Sequence, residues 1–463
     1  MRTPPWSPSR RRFLAGALLN TASAPAAEAT PVDERDSMHA AQEEIWRRFI
    51  DPKHGTFYDY VTPSGEIRIP TPEECASGKP NALGWSSPIE NGAFFGGLYL
   101  DALCNRWQQT REAATARRAR TIASGLVQLA SIGSTPGFVA RGISTDGASH
   151  YAASSSDQTF PWFYGLWRYC RSGLPATAER AKVEGLLERV ITAIEANAWC
   201  MPCDRPNFGH FGRWLGGFAG SKGILTGAEP DFDAAARLLF VHRALHQVTG
   251  EKRWLAGYHT LLRERASDSA RSRLDVITAG VPYVPPGTPA RFPASPAIWT
   301  SASSQAGLRA LLELEDDPEL RAGFQQGLSA NARRVLPYIE LAGSYDNAQA
   351  DNYTADWRPL NSHWSPQASI EEAVQLGNRQ KPVWLALSPR RVRETEQMRD
   401  PLFAAWIVAL SGDEAVRRQA RPAIRRALCH FDWKRLFTSL FFMAECAYYE
   451  LRDAAPAARS AGG

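Results

Sequence analysis

Two acidic residues stand where chemistry would be simplest to build. Glu90 lies in Gly84-Trp85-Ser86-Ser87-Pro88-Ile89-Glu90-Asn91-Gly92, and Asp157 in Ser154-Ser155-Ser156-Asp157-Gln158. Each precedes a stretch rich in glycine and aromatics, 93–103 after the first and 160–167 after the second. Such stretches read as helices packed in a crowded centre, each with an acid at its N-terminus. Two carboxylates across a cleft are the minimum for glycoside hydrolysis: one protonates the leaving oxygen, and the other activates water or attacks. The proton donor needs the more apolar setting, because burial raises a carboxyl pKa whereas a helix N-terminus lowers it. Asp157, followed by Phe160, Trp162 and Phe163, is therefore the expected donor, with Glu90 as its partner. Acids at helix starts also serve as plain caps, and spacing alone does not separate the two roles.

Candidate binding groups surround these acids. Asn91 and Gln158 are their immediate neighbours, and Trp85 and Trp162 lie close by in sequence. The chain holds fifteen tryptophans, many beside Gly, His or Asn rather than in apolar runs, and a flat indole matches the C–H face of a pyranose. Core packing is the other use of such a ring. Arg141, His150 and Tyr151 share one loop, and an arginine can hold a uronate carboxylate bidentately. A Gly-rich stretch from Asn207 supplies His210, Arg213 and Trp214, and the connection 342–396 supplies His363 and Trp364, with Glu371 and Glu372 at a helix start. A connection of that length in a compact domain is a lid, a binding loop or disordered, and its aromatics argue against disorder. Asp346, Asp351 and Asp356 recur every five residues but do not follow the spacing of a calcium loop. Cys200-Met201-Pro202-Cys203 is a lone CxxC without a second pair, so incidental buried cysteines are expected before a local disulfide. Nothing demands a metal or an organic cofactor.

Bulk properties narrow the class. With 44% hydrophobic and 22% charged residues the chain has an ordinary globular composition, and its net charge is only +5. No continuous basic stripe with interleaved aromatics appears, so nucleic acid is not an expected partner. Residues 1–29 open with Arg10-Arg11-Arg12-Phe13-Leu14, then a short apolar run and small residues. That order reads as a twin-arginine export signal, whose substrates cross the membrane folded, which places the mature protein in the periplasm or outside the cell. No other stretch approaches the roughly 20 apolar residues of a spanning helix, so no membrane association is expected after cleavage.

The elements that must position the acids are helical nearly throughout. Periodicity predicts helices over 36–50, 90–108, 112–132, 157–172, 176–198, 231–249, 251–268, 297–315, 318–338, 400–411, 413–428 and 434–452. Polar-faced helices alternate with crowded ones, which a closed double ring of six helical hairpins requires: an all-α (α/α)6 toroid. A solenoid would show a fixed repeat of about 34 to 47 residues, and none is present. We therefore expect one domain over 30–455 and a short tail over 456–463.

The Trp-Ser-Ser-Pro-Ile-Glu-Asn-Gly segment at 85–92 and the Ser156–Tyr169 helix, with Ser-Asp-Gln and Tyr-Gly-Leu-Trp-Arg-Tyr, resemble the six-hairpin glycosidase superfamily. Within it the nearest likeness is to unsaturated glucuronyl and rhamnogalacturonyl hydrolases and related β-glucuronidases. The resemblance implies an (α/α)6 barrel, a uronic-acid-containing oligosaccharide as substrate, Asp157 as proton-donating acid and Glu90 in the place of a second acid. In the unsaturated-uronyl enzymes that second acid is usually Asp, so this chain departs from the pattern there. Two other readings share the fold. One is a polysaccharide lyase with Tyr151 and His150 as base and acid and Arg141 on the uronate carboxylate. The other is a non-catalytic carbohydrate-binding protein.

Overall fold

The computed structural model describes residues 33–215, 231–265, 271–280 and 298–452. The export signal expected over 1–29 and the tail expected over 456–463 lie outside these residues. Sixteen α-helices occur among the described residues: α1 (Glu34–Glu44), α2 (Pro72–Ser77), α3 (Gly92–Thr110), α4 (Ala113–Leu129), α5 (Ser156–Arg171), α6 (Thr177–Ala196), α7 (Phe232–Thr249), α8 (Lys252–Arg263), α9 (Arg273–Ala279), α10 (Ile298–Leu314), α11 (Pro318–Ile339), α12 (Ile370–Leu387), α13 (Pro389–Glu394), α14 (Asp400–Leu410), α15 (Glu414–His430) and α16 (Met443–Leu451). One antiparallel ribbon joins β1 (Cys200–Pro202) to β2 (His210–Arg213). The fold is all-α, as expected.

Six of these helices are apolar or small nearly all round. In α14 all eleven residues are buried, and in α3 every residue from Gly92 to Arg106 is. A helix with no wet face must be covered on every side, and the packing order supplies that cover. α3 packs on α5 and α16, α16 on α14, α14 on α10, and α10 on both α7 and α5. Phe240 of α7 closes the remaining gap, with its ring edge-on to Phe163 and Trp167 of α5 at 6.0 and 5.0 Å. The amphipathic helices lie outside this circuit. α4 covers α3 and α5, α6 covers α5 and α7, α8 covers α7, α11 covers α10 and α14, α15 covers α14, and α1 covers α16. This is the order that a toroid of helical hairpins needs.

The tightest crossing within the inner circuit is between α3 and α5, and glycine permits it. A Cβ on Gly97 would stand 2.0 Å from the Pro161 carbonyl oxygen, and one on Gly165 2.2 Å from that of Gly97. The two backbones touch, so the helix starts that carry Glu90 and Asp157 are drawn together.

Two expectations need correction. The connection 342–396 is not mainly loop, because it contains the 18-residue α12 and the short α13. Ser369 caps α12 by accepting from the Glu372 N–H, and Pro382 inside the helix masks its periodicity. The final helix begins at Met443 rather than near 434, because 3-10 turns at Trp433–Arg435 and Ser439–Phe442 occupy the approach. No helix among the described residues is long and apolar enough to cross a membrane.

Candidate active site

The start of α3 is built from outside itself. Asn91 does not cap the helix with its own side chain. Its N–H and Nδ2 instead donate to the two carboxyl oxygens of Asp59, at 2.8 and 2.5 Å. Its Oδ1 accepts from Gln158 Nε2 at 2.7 Å, and Gln158 Oε1 accepts the Phe94 N–H at 3.0 Å. A first-turn N–H of α3, which has no partner within its own helix, is thus satisfied by a side chain of α5. Arg141 forms a second brace. Its Nη1 donates to the Glu90 carbonyl at 3.2 Å and its Nη2 to Ser155 Oγ at 2.9 Å, and the Ser155 hydroxyl donates in turn to Asp157.

Asn91, Gln158, Arg141 and Ser155 are all buried, whereas Glu90 and Asp157 are only half-buried. The braces are hidden and the two acids are left open. Glu90 folds back onto its own loop, where its carboxylate accepts the Ser86 N–H at 2.7 Å. Ser86 holds a left-handed backbone with φ 69°, unusual for a non-glycine residue. Tyr60 pins that strained turn by donating to the Ser86 carbonyl at 2.8 Å.

The electrostatic centre lies beneath Glu90. Burial pushes the Asp59 carboxyl up to about 8, and the negative charge of Glu90 adds to the effect. Arg391, from α13, lies on the same side. Burial works against its charge, but Tyr353, Glu90 and Asp59 hold its pKa above the usual arginine value.

The sequence-predicted binding residues divide into three groups. Trp85 remains half-open beside Glu90, edge-on to Phe211 at 6.1 Å and packed over Gly377. Asn91, Gln158 and Arg141 are brought to the acids, as struts under them. The others serve the scaffold or lie apart. Trp162 is fully buried and donates to the Leu126 carbonyl at 2.8 Å, so it is a core residue with no free face for a sugar. Trp214 is also fully buried, behind the start of α5, with its Nε1 3.4 Å from the Ser156 carbonyl. Tyr151 lies beneath Gly84, whose Cβ would meet its ring at 2.4 Å, and its hydroxyl donates to the Lys79 carbonyl. Burial drives that phenol well above its usual pKa, which removes it as a base.

His150 is bound at 2.9 Å to Asp204, whose carboxylate also gathers Ser134 and Thr135. Burial opposes the Asp204 charge, but hydrogen bonds from Thr135, Ser134 and His150 outweigh it and hold the carboxyl well below the usual range. His150 therefore closes a loop clamp. His210 and His363 are exposed, Arg213 donates to the Ala198 carbonyl, and Trp364 donates to that of Gly78. Cys200 and Cys203 are free thiols.

Sequence reasoning missed Asp59, Tyr60, Tyr353 and Arg391. Asp59 had a signal, since it is a lone acid inside Phe57-Tyr58-Asp59-Tyr60-Val61. Arg391 had none, because Arg390-Arg391-Val392-Arg393 looks like any solvated helix face.

No family model matches this chain, and no curated protein does. Among solved structures it is similar to a sugar epimerase from a ruminal bacterium, at 12% identity over 64% of this chain and 71% of that one, with a TM-score of 0.39.

Proposed function

We propose that this chain is a glycoside hydrolase acting on uronic-acid-containing oligosaccharides, exported folded through the twin-arginine signal read at residues 1–29. One observation carries the catalytic part. Glu90 and Asp157 are half-open carboxylates at the starts of the two most closely crossed inner helices, cross-braced by buried Asn91–Gln158 and Arg141–Ser155 links. Carboxylates that served only as caps would not need such a cross-brace between two helices. In this reading Asp157 protonates the glycosidic oxygen, and Glu90 activates water or stabilises the oxocarbenium-like transition state. Trp85 stacks on the sugar.

The uronate part of the reading rests on the sequence resemblance. The lyase alternative loses support because its base, Tyr151, is sealed in the core, and its acid, His150, is held by Asp204.

The test is turnover by the mature protein on aryl β-glucuronides and on unsaturated uronyl oligosaccharides, wild type beside Asp157→Asn. The reading expects release of the aryl group, or loss of the unsaturated-uronate absorbance, and its abolition in the variant. Full activity of Asp157→Asn on every cleaved sugar would overturn it. So would a rise in unsaturated-uronate absorbance on a uronate polymer, which marks a lyase.

A further inference from the structure

Of the two cations that the sequence offers an acidic sugar, His150 is held by Asp204 and Arg141 spends both Nη atoms on the braces, so an acidic sugar needs another partner. The long connection supplies one. The connection, from Trp357 into α12, is fastened to the segment 68–81 that leads to Glu90 by several bonds. Arg358 pairs with Glu74 at 2.8 and 3.0 Å, Gln380 and Asn81 bond at 2.9 Å, and Trp357 donates to the Arg68 carbonyl at 2.7 Å. This holds one aromatic cluster against the Ser86 turn: Tyr60, Tyr353 and Trp384, with Tyr60 5.7 Å from Tyr353 and 5.5 Å from Trp384. The Arg391 guanidinium lies over both Tyr60 and Trp384, at 5.6 and 5.9 Å from the ring centroids.

Within this cluster three buried donor atoms have no acceptor in hydrogen-bond geometry among the described residues: Arg391 Nη1, the Tyr353 hydroxyl, which lies beside Arg391, and Trp384 Nε1. A buried donor without an acceptor costs about 1–3 kcal/mol, more when charged, so three in one cluster call for an explanation. What they share is the need for an acceptor, and one of them is a cation. Tyr60 links the cluster to catalysis, because its hydroxyl holds the Ser86 turn whose N–H holds Glu90.

We propose that Arg391 and Tyr353, with Trp384 as wall, form the subsite that takes the carboxylate of the substrate sugar. This rests on the hydrolase reading above and assigns its acid specificity to residues from the far end of the chain. Arg391 donates from Nη1, Tyr353 from its hydroxyl, and the Tyr60 and Trp384 faces keep the guanidinium in place by cation–π attraction.

The experiment compares an aryl β-glucuronide with its uncharged methyl ester on wild type, Arg391→Ala and Tyr353→Phe, folding being checked by circular dichroism. Tyr353→Phe keeps the ring stacked on Phe437, 4.5 Å between centroids, and removes only the hydroxyl. The expected result is a preference for the acid in kcat/KM, carried by KM, which falls about 10- to 100-fold in Arg391→Ala and less in Tyr353→Phe, as for a charged hydrogen bond. Equal losses on acid and ester would make Arg391 a structural counter-charge and overturn the proposal while leaving the hydrolase reading intact. If wild type turns over neither compound, the hydrolase reading fails, and calorimetric titration with D-glucuronate and D-glucose decides the subsite alone. Binding of glucuronate only, lost in Arg391→Ala, supports it, and binding of neither or of both equally overturns it.

Discussion

The paired helices α3 and α5 meet carboxylates at their starts and, at Asp101, halfway along α3, and the two places treat them in opposite ways. Asp101 lies nine residues beyond Gly92 in α3, about 14 Å along the helix axis. There its carboxylate receives Arg168 Nε at 2.6 Å and the Tyr164 hydroxyl at 3.1 Å. Arg168 goes on to Asn105, and Asn105 to Glu450. Each charge at this place is held by partners on several helices. At the helix starts Glu90 accepts one backbone N–H and Asp157 one hydroxyl, and neither is in a direct ion pair with another described residue. The same residue type is structural where its hydrogen-bonding capacity is filled and available for chemistry where it is not. The braces beneath, Asn91–Gln158 and Arg141–Ser155, are held by side-chain partners in the way of the Asp101 cluster.

That contrast can be broken or sharpened by experiment. The largest effect is expected at the helix starts: Asp157→Asn or Glu90→Gln should lower kcat by about 10²–10⁴ while shifting the unfolding midpoint little. A large stability loss with activity retained would place these acids with the structural ones. At Asp101 the expectation reverses. Asp101→Asn should cost about 3 kcal/mol in denaturant unfolding, because removing one partner of a buried pair strands the other, and the folded fraction should keep its turnover.

Between the two places, Gly97→Ala must push the helices apart, since its Cβ would overlap the Pro161 carbonyl. About 1–3 kcal/mol of overpacking is expected, with a fall in kcat if the crossing sets the separation of the acids. A normal kcat at reduced stability would show that the cross-braces alone set it.

The pH dependence of stability follows from the buried acids. Burial raises Asp59 to about 8 and Glu445 and Glu450 to about 7 in the folded protein, against roughly 4 when unfolded. The unfolded chain then binds fewer protons across this range, so stability is greatest below about pH 4 for these groups and falls as pH rises towards 8. Asp204, held low, acts in the opposite sense, and its contribution is lost only in acid. Buried His242, held at about 4, opposes these acids up to about pH 6.5, so the urea midpoint should decline between pH 6.5 and 8, and a flat or rising profile there would refute the raised pKa values of these buried acids. The smallest effect is expected from His210→Ala and His363→Ala. Both residues are exposed, so less than about 0.5 kcal/mol should change. A marked loss of activity in either would mean that its loop meets the substrate.

The helical class, the order of crowded and polar-faced helices, and the acids at the starts of α3 and α5 were legible in the sequence. All are local signals: hydrophobic period, glycine among aromatics, and an acid ahead of an apolar run. The use made of individual side chains was not. Tryptophan reads alike as a sugar platform or as core, and only three-dimensional packing sealed Trp162 and Trp214 while leaving Trp85 half-open. Arginine reads alike as substrate ligand or as strut. Arg141, fifty-one residues from Glu90, became the strut, while Arg391, three hundred and one residues away, came within electrostatic reach of Glu90. The periodicity of one segment records which face is buried and says nothing of what covers it. Cover is decided by residues hundreds of positions away, and so are the burial of Asp59 and the line between binding residue and scaffold.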